Sequence, residues 1–207
     1  MAENLYEPKK ALILELYDAG IIKIGNFKLT SGLESPFYID IRGTISFPSI
    51  LKRIANMIIV ELYQSDTFDV IAGIATGGLP LVSYISCLTN MPMAYIRKKV
   101  REHGTGRIVE GIVRDKSVVL IDDVVTTGGS LINAIEAIHS EGGTVKRVFV
   151  VVDREQGGLK KVTNMGIKAD ALFTASEIFS LLNEAGKISS DQFEKILNYI
   201  KVTRIDK

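Results

Sequence analysis

Residues 118–130 read VVLIDDVVTTGGS. The apolar run Val118 to Ile121 predicts a buried strand ending in two adjacent acids, Asp122 and Asp123. Val124 and Val125 follow, then Thr126, Thr127, Gly128, Gly129 and Ser130. A helix is expected over 128–140, because Leu131, Ile132, Ile135 and Ile138 fall at helical spacing. A strand, a Gly-rich turn and a helix N-terminus in succession make an anion cradle. The glycines let backbone N–H groups close on a phosphate, the hydroxyls add donors, and the helix supplies positive partial charge. The acids before the turn are placed to accept hydrogen bonds from sugar hydroxyls or to hold a hydrated cation. The Gly-Lys-Ser/Thr ending of a P-loop is absent, and so is the G-x-G-x-x-G spacing of a dinucleotide site.

Further strands and helices extend this pattern in both directions. Asp69 to Ala75, Met93 to Ile96 and Val145 to Val152 read as strands, and Leu79 to Leu88 as a helix. Alternating strands and helices, with near-continuous apolar runs in the strands, predict an α/β fold with a mostly parallel sheet covered on both faces. Helices are expected over Leu5 to Tyr17, stopped by Gly20, and over Phe47 to Tyr63. The segment Phe27 to Arg42 alternates like strands at its ends and turns at Ser31, Gly32, Ser35 and Pro36. Thr174 to Glu177 and Ser189 to Gln192 have capping-box spacing, each before an apolar run.

With 207 residues, 46% hydrophobic, the chain suits one domain, expected to span 1–207. Its net charge of +1 lacks the basic excess of a nucleic-acid binder. The single cysteine, Cys87, excludes an intramolecular disulfide and a cysteine-rich zinc site. No apolar run reaches the roughly 20 residues of a membrane span, and MAENLYEPKK is not a signal-peptide pattern. A cytoplasmic location, without membrane or nucleic-acid partners, is the expectation.

The near-neutral total is a cancellation. Arg97 to Arg107 (RKKVREHGTGR) holds five cations and one acid, +4 in all, so the rest of the chain carries −3. The run follows a strand, contains His103, and has Gly104 and Gly106 as points of mobility. It is expected to be a lid over 97–108, bringing positive charge to a leaving group and excluding water. Asp69 to Pro80 (DVIAGIATGGLP) repeats the strand–turn–helix device, which makes Thr76, Gly77 and Gly78 a second anion site.

VVLIDDVVTTGGS resembles the 5-phosphoribosyl 1-pyrophosphate (PRPP) motif of the type I phosphoribosyltransferases. The resemblance implies that Asp122 and Asp123 hold the ribose hydroxyls. It implies that Thr126, Thr127, Gly128, Gly129 and Ser130 wrap the 5′-phosphate, that Val124 and Val125 belong to the same PRPP site, and that the 76–78 turn binds pyrophosphate. The spacing Arg97-Lys98, Arg101, His103-Gly104 resembles the catalytic loop of the orotate-specific members. That makes Lys98, Arg101 and His103 the candidate catalytic residues and, with Arg97, candidate PRPP ligands. It also implies a homodimer whose lid serves the neighbouring subunit. Many members carry Lys at the Arg101 position. An Arg with a pKa above ~12 acts there only by its charge, which leaves Lys98 and His103 for proton handling.

Two further segments resemble the orotate-specific members. LTSGLESPFYIDIR, residues 29–42, is similar to their N-terminal signature, which covers the pyrimidine. Phe37 and Tyr38 are candidates to pack on the flat ring, and a β-hairpin core is the equal alternative. Some members carry Lys at the Thr30 position, and whether Lys28 replaces it is open. Arg154, in VVDREQGG, matches the Arg that holds the carboxylate of orotate, assisted by Thr126.

The resemblance covers nearly the whole chain. It implies the type I fold with a hood from about residues 1–45 and the C-terminal segment. The implied reaction joins PRPP and orotate to give orotidine 5′-phosphate and pyrophosphate, for UMP synthesis. Mg²⁺ is carried by PRPP, with no direct protein ligand beyond a water-mediated approach to Asp122 and Asp123. Another base phosphoribosyltransferase and a non-catalytic PRPP sensor are the rivals. At 207 residues no fused orotidylate decarboxylase is expected, which leaves a separate one as a partner.

Overall fold

A computed structural model of the chain describes residues 3–28, 34–63, 67–98 and 107–204. Helix α1 (Glu3–Asp18) ends where Gly20 turns to φ 69°. There the Gly20 and Ile21 amides donate to the Tyr17 and Leu16 carbonyls, a Schellman stop. An antiparallel hairpin follows, β1 (Ile22–Lys28) and β2 (Glu34–Ile39), then a 3-10 turn (Ile41–Ser46) and α2 (Pro48–Tyr63). The central sheet and its helices come next: β3 (Val70–Ile74), α3 (Gly78–Thr89), β4 (Met93–Ile96), β5 (Val109–Glu110), β6 (Ser117–Val125), α4 (Gly129–Ser140), β7 (Thr144–Asp153), α5 (Gly158–Asn164) and β8 (Lys168–Thr174). Helices α6 (Ala175–Glu184) and α7 (Ser190–Thr203) close the chain, each opened by the expected capping box.

The sheet order is β5-β4-β3-β6-β7-β8, parallel throughout except for the β4–β5 pair. From β3 the chain moves outward to β4 and β5, then returns to the other side of β3 as β6. This reversal opens a crevice at the carboxyl ends of β3 and β6, the switch point where such sheets bind ligands.

The continuous apolar strands are resolved by period-2 geometry into two faces. Ile71, Val119, Ile121 and Phe149 pack in one cluster with α2 and α3. Val70, Ala72, Val118, Leu120, Val148 and Val150 pack in the other with Leu131, Ile135 and Ile138 of α4 and Val162 of α5. The first cluster also takes in Leu12, Ile13 and Leu16 of α1, Phe37 and Ile39 of β2, Phe179 of α6, and Ile196 and Ile200 of α7. Both ends of the chain therefore share one core with a face of the sheet.

Some elements differ from expectation. Strand β6 runs on through Asp122 and Asp123 to Val125, so the acids lie in the strand and inherit its alternation. The first hairpin strand begins at Ile22 rather than Phe27, and the second stops at Ile39 because the chain turns into the 3-10 segment before Arg42. Three elements were not expected. β5 has 2 residues and α5 has 7, too few to show a period. β8 is an edge strand whose mixed sequence, KADALFT, shows no clean alternation. No helix of the described residues is long and apolar enough to cross a membrane.

Candidate active site

The turn after β6 is anchored from both sides. Val118 to Ile121 are fully buried before it, and Leu131 and Ile135 behind it. Gly128 sits at φ 82°, a left-handed conformation that glycine adopts without strain. It caps α4 with no side-chain hydrogen bond, so the first-turn amides of the helix have no intrahelical or capping partner. The turn bounds a cavity of about 180 Å³ with Asp122 at one end. Asp122 is only 7% exposed. Burial pushes its carboxyl well above the usual range, the negative charge of Asp123 adds to this, and the Lys98 ammonium opposes it. Lys98 is thus within electrostatic reach of the acidic pair.

The turn after β3 meets this one across the switch point. Its Ala75–Thr76 peptide is cis, and the Ala75 amide donates to the Ile96 carbonyl over 2.8 Å. A side chain on Gly77 would collide with the Asp123 carboxylate, and one on Gly78 would come within 2.5 Å of the Ile121 carbonyl. Glycine at both positions lets the second turn lie against the acids. The Gly-rich turn after β7 completes the wall. A Cβ on Gly158 would approach the Thr126 carbonyl to 2.5 Å and the Gly128 nitrogen to 2.9 Å. Lys161 of α5 donates to the Thr127 carbonyl over 3.0 Å. The expected Thr76–Gly78 and Asp122–Ser130 sites are therefore neighbours. The sequence carries no signal for the buttress from Gly158 and Lys161, since a Gly pair reads as a plain turn and Lys161 is one lysine among many.

Arg154 begins at the same edge, where its amide donates to the Val125 carbonyl over 3.0 Å, but its side chain runs under the hairpin. It is 5% exposed. Its guanidinium lies 4.5 Å from the Phe37 ring centroid, and Nη2 donates to Ser35 Oγ over 3.1 Å. Nε is buried without a hydrogen-bond partner, and no carboxylate pairs with the group among the described residues. Burial pulls its pKa below the usual Arg value, opposed by the Tyr199 and Tyr38 phenols. A sealed cation without an anion is costly, because its hydration is lost and nothing replaces it. The site is thus suited to an incoming carboxylate.

Phe37 takes the hairpin-core position, one of its two expected alternatives. It is 0% exposed and packs on Phe179 at 4.7 Å, on Tyr199 edge-on at 5.7 Å and on the Arg154 cation. It supports Arg154 and has no free face for a ligand, because strand alternation turns it inward. Tyr38 points to the other face of β2, where its ring lies 5.7 Å from Phe27 and its hydroxyl accepts from Arg42. Lys28 is exposed at the end of β1, opposite Glu34. Arg97 is held by Glu110 at 3.2 Å on the β4–β5 edge. Arg101, His103 and Thr30 lie outside the described residues, and so does most of the expected lid.

Among the described residues no group of three His, Cys, Asp or Glu is arranged to hold a metal. The Asp122–Asp123 pair suits a cation that keeps most of its shell as water and substrate oxygens, as Mg²⁺ does.

Known proteins are similar to this chain in sequence and fold. The family model described as "Phosphoribosyl transferase domain" matches residues 47–172. An orotate phosphoribosyltransferase of Staphylothermus marinus is 40% identical over 189 residues, covering 91% of this chain and 93% of that one. The solved orotate phosphoribosyltransferase of Aeropyrum pernix superposes with TM-score 0.74 at 31% identity, over 86% of this chain and 99% of that one. The UMP synthase of Leishmania donovani gives TM-score 0.83 at 30% identity, over 94% of this chain and 42% of that longer one.

Proposed function

The chain belongs to the phosphoribosyl transferase family, and from that premise we infer the roles of its residues in the reaction of the orotate-specific members. That reaction transfers the 5-phosphoribosyl group of PRPP to N1 of orotate, giving orotidine 5′-phosphate and pyrophosphate in pyrimidine biosynthesis.

In this reading the backbone amides of Thr127 to Ser130, at the unspent N-terminus of α4, hold the 5′-phosphate. Asp122 and Asp123 accept hydrogen bonds from the ribose hydroxyls. The Thr76–Gly78 turn faces the pyrophosphate, which leaves as positive charge develops on the ribosyl carbon. Lys98 and, from sequence, Arg101 and His103 of the lid carry positive charge to that leaving group. Lys98 or His103 supplies a proton, since Arg101 does not release one near neutral pH. Mg²⁺, carried by PRPP near the acidic pair, adds positive charge when bound.

Orotate is the base because of Arg154. Its buried guanidinium lacks a carboxylate partner among the described residues, and orotate carries a carboxylate. Thr126, beside it on the β6 edge, assists. Holding N1 and the ribosyl carbon in line, with charge already in place, accounts for the catalysis by positioning and electrostatics. A homodimer that shares the lid between subunits, in the cytoplasm, completes the reading. The likeness of residues 97–104 to the family's catalytic loop supports it.

The test is a base screen with PRPP and Mg²⁺, following the absorbance of orotate. Loss of absorbance that requires PRPP and stops on chelation is expected. Turnover of uracil or a purine, with none of orotate, overturns the assignment of the base.

A further inference from the structure

Tyr199 belongs to α7, beyond the 47–172 segment shared across the phosphoribosyl transferase family. Its ring packs edge-on against Phe37 at 5.7 Å, the same ring that carries the Arg154 guanidinium. Among the described residues only two buried side-chain polar atoms lack a hydrogen-bond partner, and they are Arg154 Nε and the Tyr199 hydroxyl. They are chemical complements, since Nε–H only donates and a phenol oxygen accepts. Two unmet polar atoms sealed against one ring is a costly arrangement in a core this well packed. The phenol also favours the charged form of Arg154 against the burial that disfavours it. Ser35 Oγ accepts from Nη2 of the same guanidinium while donating to the Phe37 carbonyl over 2.8 Å.

We propose that Tyr199 is a positioning residue for Arg154. Its hydroxyl accepts from Nε and, with Ser35 on Nη2 and Phe37 beneath, sets the guanidinium so that Nη1 is presented to the carboxylate of the base. Among the described residues Nη1 makes no hydrogen bond, which leaves that edge for a ligand. The C-terminal helix thereby determines base specificity, although it lies outside the part of the chain shared with the whole family. This inference rests on the reading of Arg154 as the carboxylate anchor.

The experiment compares wild type with Tyr199→Phe, which keeps the ring against Phe37 and removes only the hydroxyl. Losing one hydrogen bond to a charged group should raise the orotate KM on the order of 10-fold. The PRPP KM should stay within about twofold, and the preference for orotate over uracil should fall with the orotate affinity. Ser35→Ala should act in the same direction through Nη2. Equal changes in the KM for orotate and for PRPP mean that Tyr199 only supports the fold, and the proposal is overturned. An unchanged orotate KM in Tyr199→Phe, with wild type turning over orotate, overturns it too. Wild type that does not turn over orotate at all sinks the reading of the base instead, so the two failures are distinguishable.

Discussion

The carboxyl ends of β3 and β6 offer a ligand backbone amides on open, Gly-rich turns, whereas the end of β7 offers one guanidinium sealed beneath a hairpin. The difference follows from what each is proposed to recognise. A phosphate is round, highly charged and well solvated, and several N–H groups on consecutive residues suit it. Those residues must be contiguous and small, so the site appears as a motif on one stretch of chain. A carboxylate on a flat ring is planar, and a planar fork held at a fixed angle suits it. Fixing the angle takes side chains from several directions. Ser35, Phe37, Phe179 and Tyr199 come from both ends of the chain, and the Arg154–Ser35 bond joins residues 119 positions apart.

The largest expected effect comes from removing the fork. Arg154→Ala should lower kcat/KM for orotate by roughly 10²–10³-fold, the loss expected for truncating a buried charge that pairs with a ligand. The affinity for PRPP, measured by calorimetry or equilibrium dialysis, should change by no more than about twofold. A matching loss of PRPP affinity would break the division between the two regions, because it would make Arg154 part of the phosphate half.

That division also governs how much was legible in advance. Val118 to Ser130 and Val70 to Gly78 were readable because a strand, a turn and a helix follow each other without interruption, and the structure has them in that order. The acids were expected after the strand and instead lie within it, since hydrophobicity stops at Ile121 while the hydrogen-bonded ladder continues to Val125. On the proposed base side Arg154 is singled out by resemblance alone. Phe37 stood between a platform for a ring and a hairpin core, because aromaticity does not say which face of a strand points inward. Ser35 and Tyr199 left no local signal. A serine beside a proline and a tyrosine in an amphipathic helix are ordinary residues until the fold brings them to one guanidinium.

A milder substitution asks whether the two regions share a wall. Gly158 opens α5, on the chain just beyond Arg154, yet a side chain there would run into Val125, Thr126 and Gly128. Gly158→Ala would press a methyl group against the Thr126 carbonyl, 2.5 Å away, and shift the phosphate turn. The PRPP KM should rise on the order of 10-fold, with a stability loss of about 1–3 kcal/mol from overpacking, read by urea unfolding. The orotate KM at saturating PRPP should move little. The reverse pattern would mean that the β7 turn serves the base and not the phosphate.

The smallest effect tests the acid that leads the chain from β7 into Arg154. Asp153 precedes Arg154 and accepts from the Glu155 amide over 2.8 Å. Burial pushes its carboxyl above its ordinary 3.8, with the Glu155 charge adding to this and the Glu155 amide and Arg204 opposing it. The folded chain therefore holds this proton more tightly than the unfolded chain does. The contribution to stability is fully present below the unfolded value of 3.8 and is lost as pH rises through the higher folded value. Asp153→Asn keeps an oxygen for the Glu155 amide and has no proton to lose. Measured by urea unfolding from about pH 4 to 7, the stability of wild type relative to Asp153→Asn should fall with rising pH and then level off. If the difference rose instead, the fold would be holding the ionised carboxylate. The Glu155 amide and Arg204, which favour the charged form, would then outweigh the burial that disfavours it.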